Sequence, residues 1–116
     1  MDKVVKQSEI KITIGLNEEK IPVEMKWHAD ADSQQPTPQD CKAMILALFD
    51  KETKDTLRMD LWTKDMQVVE MDRFFFQTLR AMADTYFKAT QNNQLAADMQ
   101  RFVQYFGEQT EIIPKK

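Results

Sequence analysis

At 116 residues and 13.7 kDa the chain has the size of one folding domain. Its 42% hydrophobic and 30% charged residues suit a buried core in water, and a net charge of −3 with a pI near 5.2 leaves no basic stripe for phosphates, so nucleic acid is not expected as a partner. Two isolated glycines, Gly15 and Gly107, exclude glycine-rich phosphate loops and the strained nucleophile turn, while one cysteine, Cys41, and one histidine, His28, exclude an internal disulfide and a Cys/His zinc site.

Residues 1–7 read as a flexible arm with no apolar run behind the lysines. No stretch approaches the roughly 18 apolar residues of a membrane span, so membrane insertion is not expected and a cytoplasmic location is. From Ser8 to Leu16 the residues alternate, with Ile10, Ile12, Ile14 and Leu16 on one side and Glu9, Lys11, Thr13 and Gly15 on the other, which predicts a half-buried strand. After Asn17-Glu18-Glu19-Lys20 the alternation resumes with Ile21, Val23, Met25 and Trp27, so residues 8–28 form a first hairpin. Its expected register sets Leu16 opposite Ile21, Ile14 opposite Val23, Ile12 opposite Met25 and Ile10 opposite Trp27, all on one face.

Residues 29–40 are polar, contain two prolines and read as the longest loop. The next stretch is ambiguous: Cys41, Met44, Ile45, Leu48 and Phe49 follow helical spacing, with Thr37 and Pro38 placed to start a helix, while Met44, Leu46 and Leu48 also fit one face of a strand. The alternation of Leu57, Met59 and Leu61 downstream favours a second hairpin over residues 43–62, with Leu48 opposite Leu57 and Met44 opposite Leu61. From 67 to 90 the apolar period becomes helical, with Met71, Phe75, Leu79, Met82 and Tyr86 in one stripe and Phe76, Ala83 and Phe87 beside it. Residues 93–107 form a second amphipathic helix ending at Gly107 as a C-terminal cap, and 108–116 read as a tail. The expected fold is α+β: one four-stranded antiparallel sheet of two hairpins, with both helices on one face. About fourteen apolar side chains would be covered there, each worth roughly 1.5–3 kcal/mol when fully buried.

The other sheet face should carry information about function. On the first hairpin it shows Glu9, Lys11, Lys26 and His28, an ordinary wet surface. On the second, Ile45, Phe49 and Trp62 emerge beside Arg58 and Asp60, and these five residues form the candidate interaction surface. The competing readings cover the patch with the long loop or the arm, or make 41–49 helical; if the patch is open, a homodimer is its simplest use. The aromatic run Phe74-Phe75-Phe76 with Tyr86 and Phe87 fits a core better than a ligand cage, and the methionines at 44, 59, 71, 82 and 99 fit core filler. Asp50, Asp55, Asp60 and Asp65 recur every five residues, but turn, surface and helix-start positions suit them better than metal binding or acid–base chemistry. His28 reads as surface, and Cys41, with only Lys42 beside it, lacks the basic setting of a reactive thiolate. No catalytic residue, cofactor or metal site is expected.

The segment Thr56-Leu57-Arg58-Met59-Asp60-Leu61-Trp62-Thr63-Lys64-Asp65-Met66, followed by Glu70-Met71, Phe75, Gln77-Thr78-Leu79 and Met82-Ala83-Asp84-Thr85, resembles the GldC family of gliding-motility-associated proteins of the Bacteroidetes. Ser8-Glu9-Ile10-Lys11, Gly15-Leu16, Ala89-Thr90 and Tyr105-Phe106 extend the similarity over nearly the whole chain, although Gln67 stands where relatives carry proline. The resemblance implies a cytoplasmic accessory protein of the gliding machinery and its associated type IX secretion apparatus, with protein partners and no assigned activity. The element order is also similar to that of the export chaperone SecB, at the level of fold alone. The expectation is therefore a non-enzymatic interaction module; the alternatives are a small-ligand-binding protein and a chaperone-like client-binding module.

Overall fold

A computed structural model describes residues 2–30 and 37–115. Seven elements follow one another: β1 (Ile10–Leu16), β2 (Pro22–Ala29), β3 (Gln39–Cys41), β4 (Ala43–Phe49), β5 (Thr56–Trp62), α1 (Val68–Thr90) and α2 (Asn93–Gln109). The class is α+β with antiparallel strands. The strands belong to one compact unit, Met1–Met66, and the helices to a second, Gln67–Lys116. Of the loop expected over 29–40, positions 31–36 lie outside the described residues, as do position 1 of the arm and position 116 of the tail.

The strands do not make one four-stranded sheet. They divide into a three-stranded sheet in the order β1-β2-β3 and a two-stranded ribbon, β4-β5. The difference comes from β3, which pairs with β2 through Trp27–Gln39, Lys26–Asp40 and Met25–Cys41 and takes up the last two residues of the segment expected as loop. Lys26 Nζ sits 3.2 Å from Asp40 Oδ1, and that carboxylate pushes the lysine pKa up. The chain bends at Lys42 and continues as β4, whose partner is β5. Residues 43–49 are strand, which settles the helix-or-strand ambiguity.

The ribbon has the expected register throughout, from Ala43 opposite Trp62 to Phe49 opposite Thr56. Its loop is held by Asp50, whose Oδ2 accepts the Glu52 and Thr53 amides at 3.0 and 2.8 Å. The first hairpin is shifted by two residues from expectation: Ile12 lies opposite Trp27 and Ile14 opposite Met25, with a register irregularity between Gly15 and Leu16. Asn17, whose Oδ1 accepts the amides of Glu19 and Ile21 at 2.9 and 3.0 Å, accounts for one residue of the shift, and the irregularity that leaves Val23 without a register partner accounts for the other. Asn17 and Ile21 thereby close a shorter loop, with Lys20 in the left-handed region. A shift of two preserves face, so the alternation survives the change. Met25, opposite Ile14 on one side and Cys41 on the other, is the most buried side chain of this sheet.

The helical unit closes around residues other than the expected stripe. Phe76 and Ala83 on α1, with Ala96, Val103 and Gly107 on α2, are buried, whereas Phe75 and Met82 are exposed. Small side chains let the two backbones approach, and the larger residues of the stripe are left beside the contact. The methionines likewise depart from core filler: Met59 and Met82 are exposed, and Met44, Met71 and Met99 half-buried. The α1 start uses Gln67, whose amide donates to Glu70 Oε1 at 3.0 Å, a bond that proline cannot make. Asn92 Oδ1 caps α2 by accepting the Leu95 amide at 3.1 Å.

Gly107 is not the cap of α2. The helix runs on to Gln109, and its end is a Schellman motif in which the Ile112 amide donates to the Gly107 carbonyl and the Glu111 amide to the Glu108 carbonyl, at 2.9 and 3.1 Å. Glu111 occupies the left-handed position, at φ 62°. The first part of the expected tail is thus helix and cap. Gly107 serves packing instead: a Cβ there would lie 2.6 Å from Phe76 Cε1 and 2.8 Å from Ile113 Cδ1.

These two positions predict opposite outcomes. Gly107→Ala gains about 1 kcal/mol of helix propensity but overpacks against a ring, which costs about 1–3 kcal/mol, so the net effect is destabilising. Glu111→Gly relieves a left-handed side chain and is expected to stabilise by about 0.5–1 kcal/mol. Urea denaturation of the full chain with helix content as readout checks both.

Candidate functional site

The exit from β5 holds the strongest polar arrangement of the strand unit. Thr63, only 3% exposed, is its buried polar residue. The Thr63 amide donates to the Lys42 carbonyl at 2.8 Å, and its hydroxyl, 3.3 Å from the same oxygen, donates to Asp65 Oδ1 at 2.6 Å. Lys42 Nζ lies 3.9 Å from Asp65 Oδ2. The next amide, that of Lys64, donates to the Pro22 carbonyl at 2.8 Å and ties the ribbon's exit to the start of β2. The hydroxyl bond, reinforced by the Lys42 charge, holds the Asp65 carboxyl below the usual aspartate range. This differs from the helix-start role expected of Asp65: its carboxylate serves the strand exit, and the α1 start is held by Glu70.

The five residues singled out from the sequence share one face of the ribbon. Ile45 lies opposite Asp60, Ala47 opposite Arg58, Phe49 opposite Thr56 and Ala43 opposite Trp62. Ile45, Phe49 and Trp62 are 38%, 68% and 53% exposed. Arg58 Nε and Asp60 Oδ2 are 2.9 Å apart, so the charges on this face are paired along the strand. The reverse face also exposes apolar side chains, Leu48, Leu57 and Met59. A two-stranded ribbon is marginal in water by itself, and apolar groups on both faces call for cover beyond the ribbon's own strands.

The remaining chemistry-bearing residues are occupied separately. The four aspartates do not converge: Asp50 holds its loop, Asp55 closes it through its carbonyl to the Asp50 amide, Asp60 pairs with Arg58, and Asp65 with Thr63. The Thr53 and Glu52 amides hold Asp50 below the usual carboxylate range, in keeping with its turn position. Burial, with Asp40 beside it, pushes the Cys41 thiol up, which lowers its thiolate fraction at neutral pH. His28 is half-buried, opposite Lys11 on β1. Among the described residues no group of three or more His, Cys, Asp or Glu side chains could hold a metal ion, and no helix is long and apolar enough to cross a membrane. In the helical unit Leu79, Met82, Asp98, Met99, Phe102 and Val103 line an apolar groove of about 350 Å³. Of the aromatic run, Phe76 is buried under the Arg80 guanidinium, 5.2 Å from its ring centre, and Phe74 and Phe75 meet edge to face at 6.1 Å.

Fold and surface together define a small α+β protein with an exposed apolar ribbon built on a hydrogen-bonded strand exit. The family profile described as gliding motility-associated protein GldC-like matches residues 22–112, from the start of β2 to the cap of α2. The chain belongs to the GldC-like family. No curated protein and no solved structure matches it.

The composition and alternation of the chain do not distinguish Thr63. The signal available for it is a lone threonine directly after an alternating strand and two residues before an aspartate. Thr63→Val, which keeps the volume and removes the hydroxyl, is expected to cost about 1 kcal/mol and to raise the Asp65 pKa toward its ordinary value of about 3.9. In the native chain the Asp65 contribution is complete above that ordinary value and is lost as pH falls through the lower folded value. The variant should lose this part of the acid dependence while Thr63→Ser keeps it, as read by carboxyl-carbon NMR titration and by acid unfolding.

Proposed function

We propose that this chain is a non-enzymatic accessory protein of the gliding apparatus, acting in the cytoplasm by binding another protein on the outer face of the β4-β5 ribbon. Family membership supports the gliding context. The observation that carries the surface is the exposure of Phe49 and Trp62 beside Ile45, with the Arg58–Asp60 pair among them. Large aromatic and aliphatic groups ringed by a few charges are the composition of a protein-contact centre. The partner belongs to the gliding machinery or to the type IX secretion apparatus associated with it, and the chain works as a homodimer.

The methionine-lined groove of the helical unit favours a second reading, chaperone-like capture of client segments, since thioether side chains adapt to varied apolar surfaces. Suppression of aggregation of an unfolded substrate by the pure protein, lost in Met82→Glu, would be its signature.

Affinity capture from extract of a gliding cell tests the main reading. Wild-type chain is expected to retain a gliding or secretion component, and Trp62→Glu to lose at least about 2 kcal/mol of that affinity, roughly thirty-fold. Retention of the same component by a folded Trp62→Glu chain overturns the assignment of this face.

A further inference from the structure

From the free edge of β5 we infer that two copies of this chain pair through that strand, antiparallel and centred on Met59, joining their ribbons into one four-stranded sheet. Among the described residues β5 pairs with β4 alone, so its other edge presents unpaired backbone donors and acceptors. The strand is regular over all seven residues, without a bulge or a proline, two of the devices that blunt an edge. Every residue from Thr56 to Asp60 is exposed.

The sequence of the strand fixes what covers that edge. Read outward from Met59 in both directions, Thr56-Leu57-Arg58-Met59-Asp60-Leu61-Trp62 places Arg58 against Asp60, Leu57 against Leu61, and Thr56 against Trp62. A two-fold contact needs this property, because each residue must accept its counterpart from an identical surface. In the paired strands Arg58 of each copy faces Asp60 of the other, so the intrastrand pair at 2.9 Å becomes a square of alternating charge. On the reverse face the exposed Leu57 and Met59, at 65% and 50%, form a continuous apolar row with their counterparts. The seven residues overlap fully in this register. The free edge of β4 offers no such code: Ala43-Met44-Ile45-Leu46-Ala47-Leu48-Phe49 carries no charge to choose one register over another.

Edge pairing leaves Ile45, Phe49 and Trp62 on the outer surface and sets the two copies of that patch side by side. The inference therefore extends the reading above without depending on it, and loss of a gliding partner on Trp62→Glu and loss of the dimer are separate results.

Site-specific cross-linking of the full chain in a Cys41→Ser background tests it. Directly opposed residues have Cα atoms about 4.5–5.5 Å apart, within disulfide reach. Met59→Cys meets its own copy and is expected to oxidise to a covalent dimer. Leu57→Cys lies about 13 Å from its copy, four residues along the strand, and is expected to remain monomeric on a denaturing gel. Charge reversal gives a second measurement: Arg58→Asp alone and Asp60→Arg alone should each run as monomers in light scattering, a mixture of the two should form a dimer, and the double variant should regain the wild-type dimer. A monomeric wild type, equal cross-linking at 57 and 59, or cross-linking confined to Leu46→Cys on β4, would overturn the inference.

Discussion

One carbonyl oxygen organises the strand unit. At Lys42 the chain leaves β3, which belongs to the three-stranded sheet, and enters β4, which belongs to the ribbon; the oxygen at that bend accepts the Thr63 amide. A bend between two strands exposes backbone groups that neither sheet can pair, and burial without a partner would cost about 1–3 kcal/mol. Thr63 meets this demand with its amide and adds a hydroxyl that binds Asp65, while the Lys64 amide serves the Pro22 carbonyl. Two short sheets are thereby anchored through consecutive residues of one strand exit. The run from Arg58 to Asp65 thus combines a surface pair, an exposed methionine, a half-buried leucine and this anchor.

In the helical unit the corresponding constraint is thickness. Ala83, Ala96 and Gly107 are buried because they are thin, and the Phe76 ring sits within contact of where a Cβ on Gly107 would be. Close approach at these points carries the larger side chains of the apolar stripe to the flanks, where Met82 and Phe102 line a groove. The long arc of apolar residues on α1 is therefore wider than a single helix contact requires.

Much of this was legible in the residues, and the departures have identifiable causes. The second hairpin was readable in full because its alternation is unbroken and its loop closes symmetrically at Asp50 and Asp55. That reading also put Ile45, Phe49, Arg58, Asp60 and Trp62 on one exposed face. The first hairpin kept its face but not its register, since an asparagine side chain shortened the loop by one residue and a bulge at Val23 added a second. β3 was hidden by polarity: Gln39-Asp40-Cys41 has no apolar alternation, and its pairing draws on the Lys26–Asp40 contact, which a sequence pattern does not display. Gly107 misled because glycine near a helix end commonly marks the cap, whereas here the left-handed positions fall to Lys20, Lys54, Gln91 and Glu111. Thr63 stayed invisible because its importance lies in a bond to a residue 21 positions earlier.

The neighbour-to-neighbour pairing of the elements also bears on how fast the protein forms. β1 pairs with β2, β2 with β3, β4 with β5, and α1 contacts α2, so the main element contacts join elements that are consecutive in the chain. Such topologies have low contact order, and individual hairpins close in about 1–10 μs. The Lys64–Pro22 hydrogen bond closes a much longer stretch, bridging most of the strand unit. Its loop-closure entropy is smallest once both hairpins exist, so this bond is expected to form on top of them rather than before them.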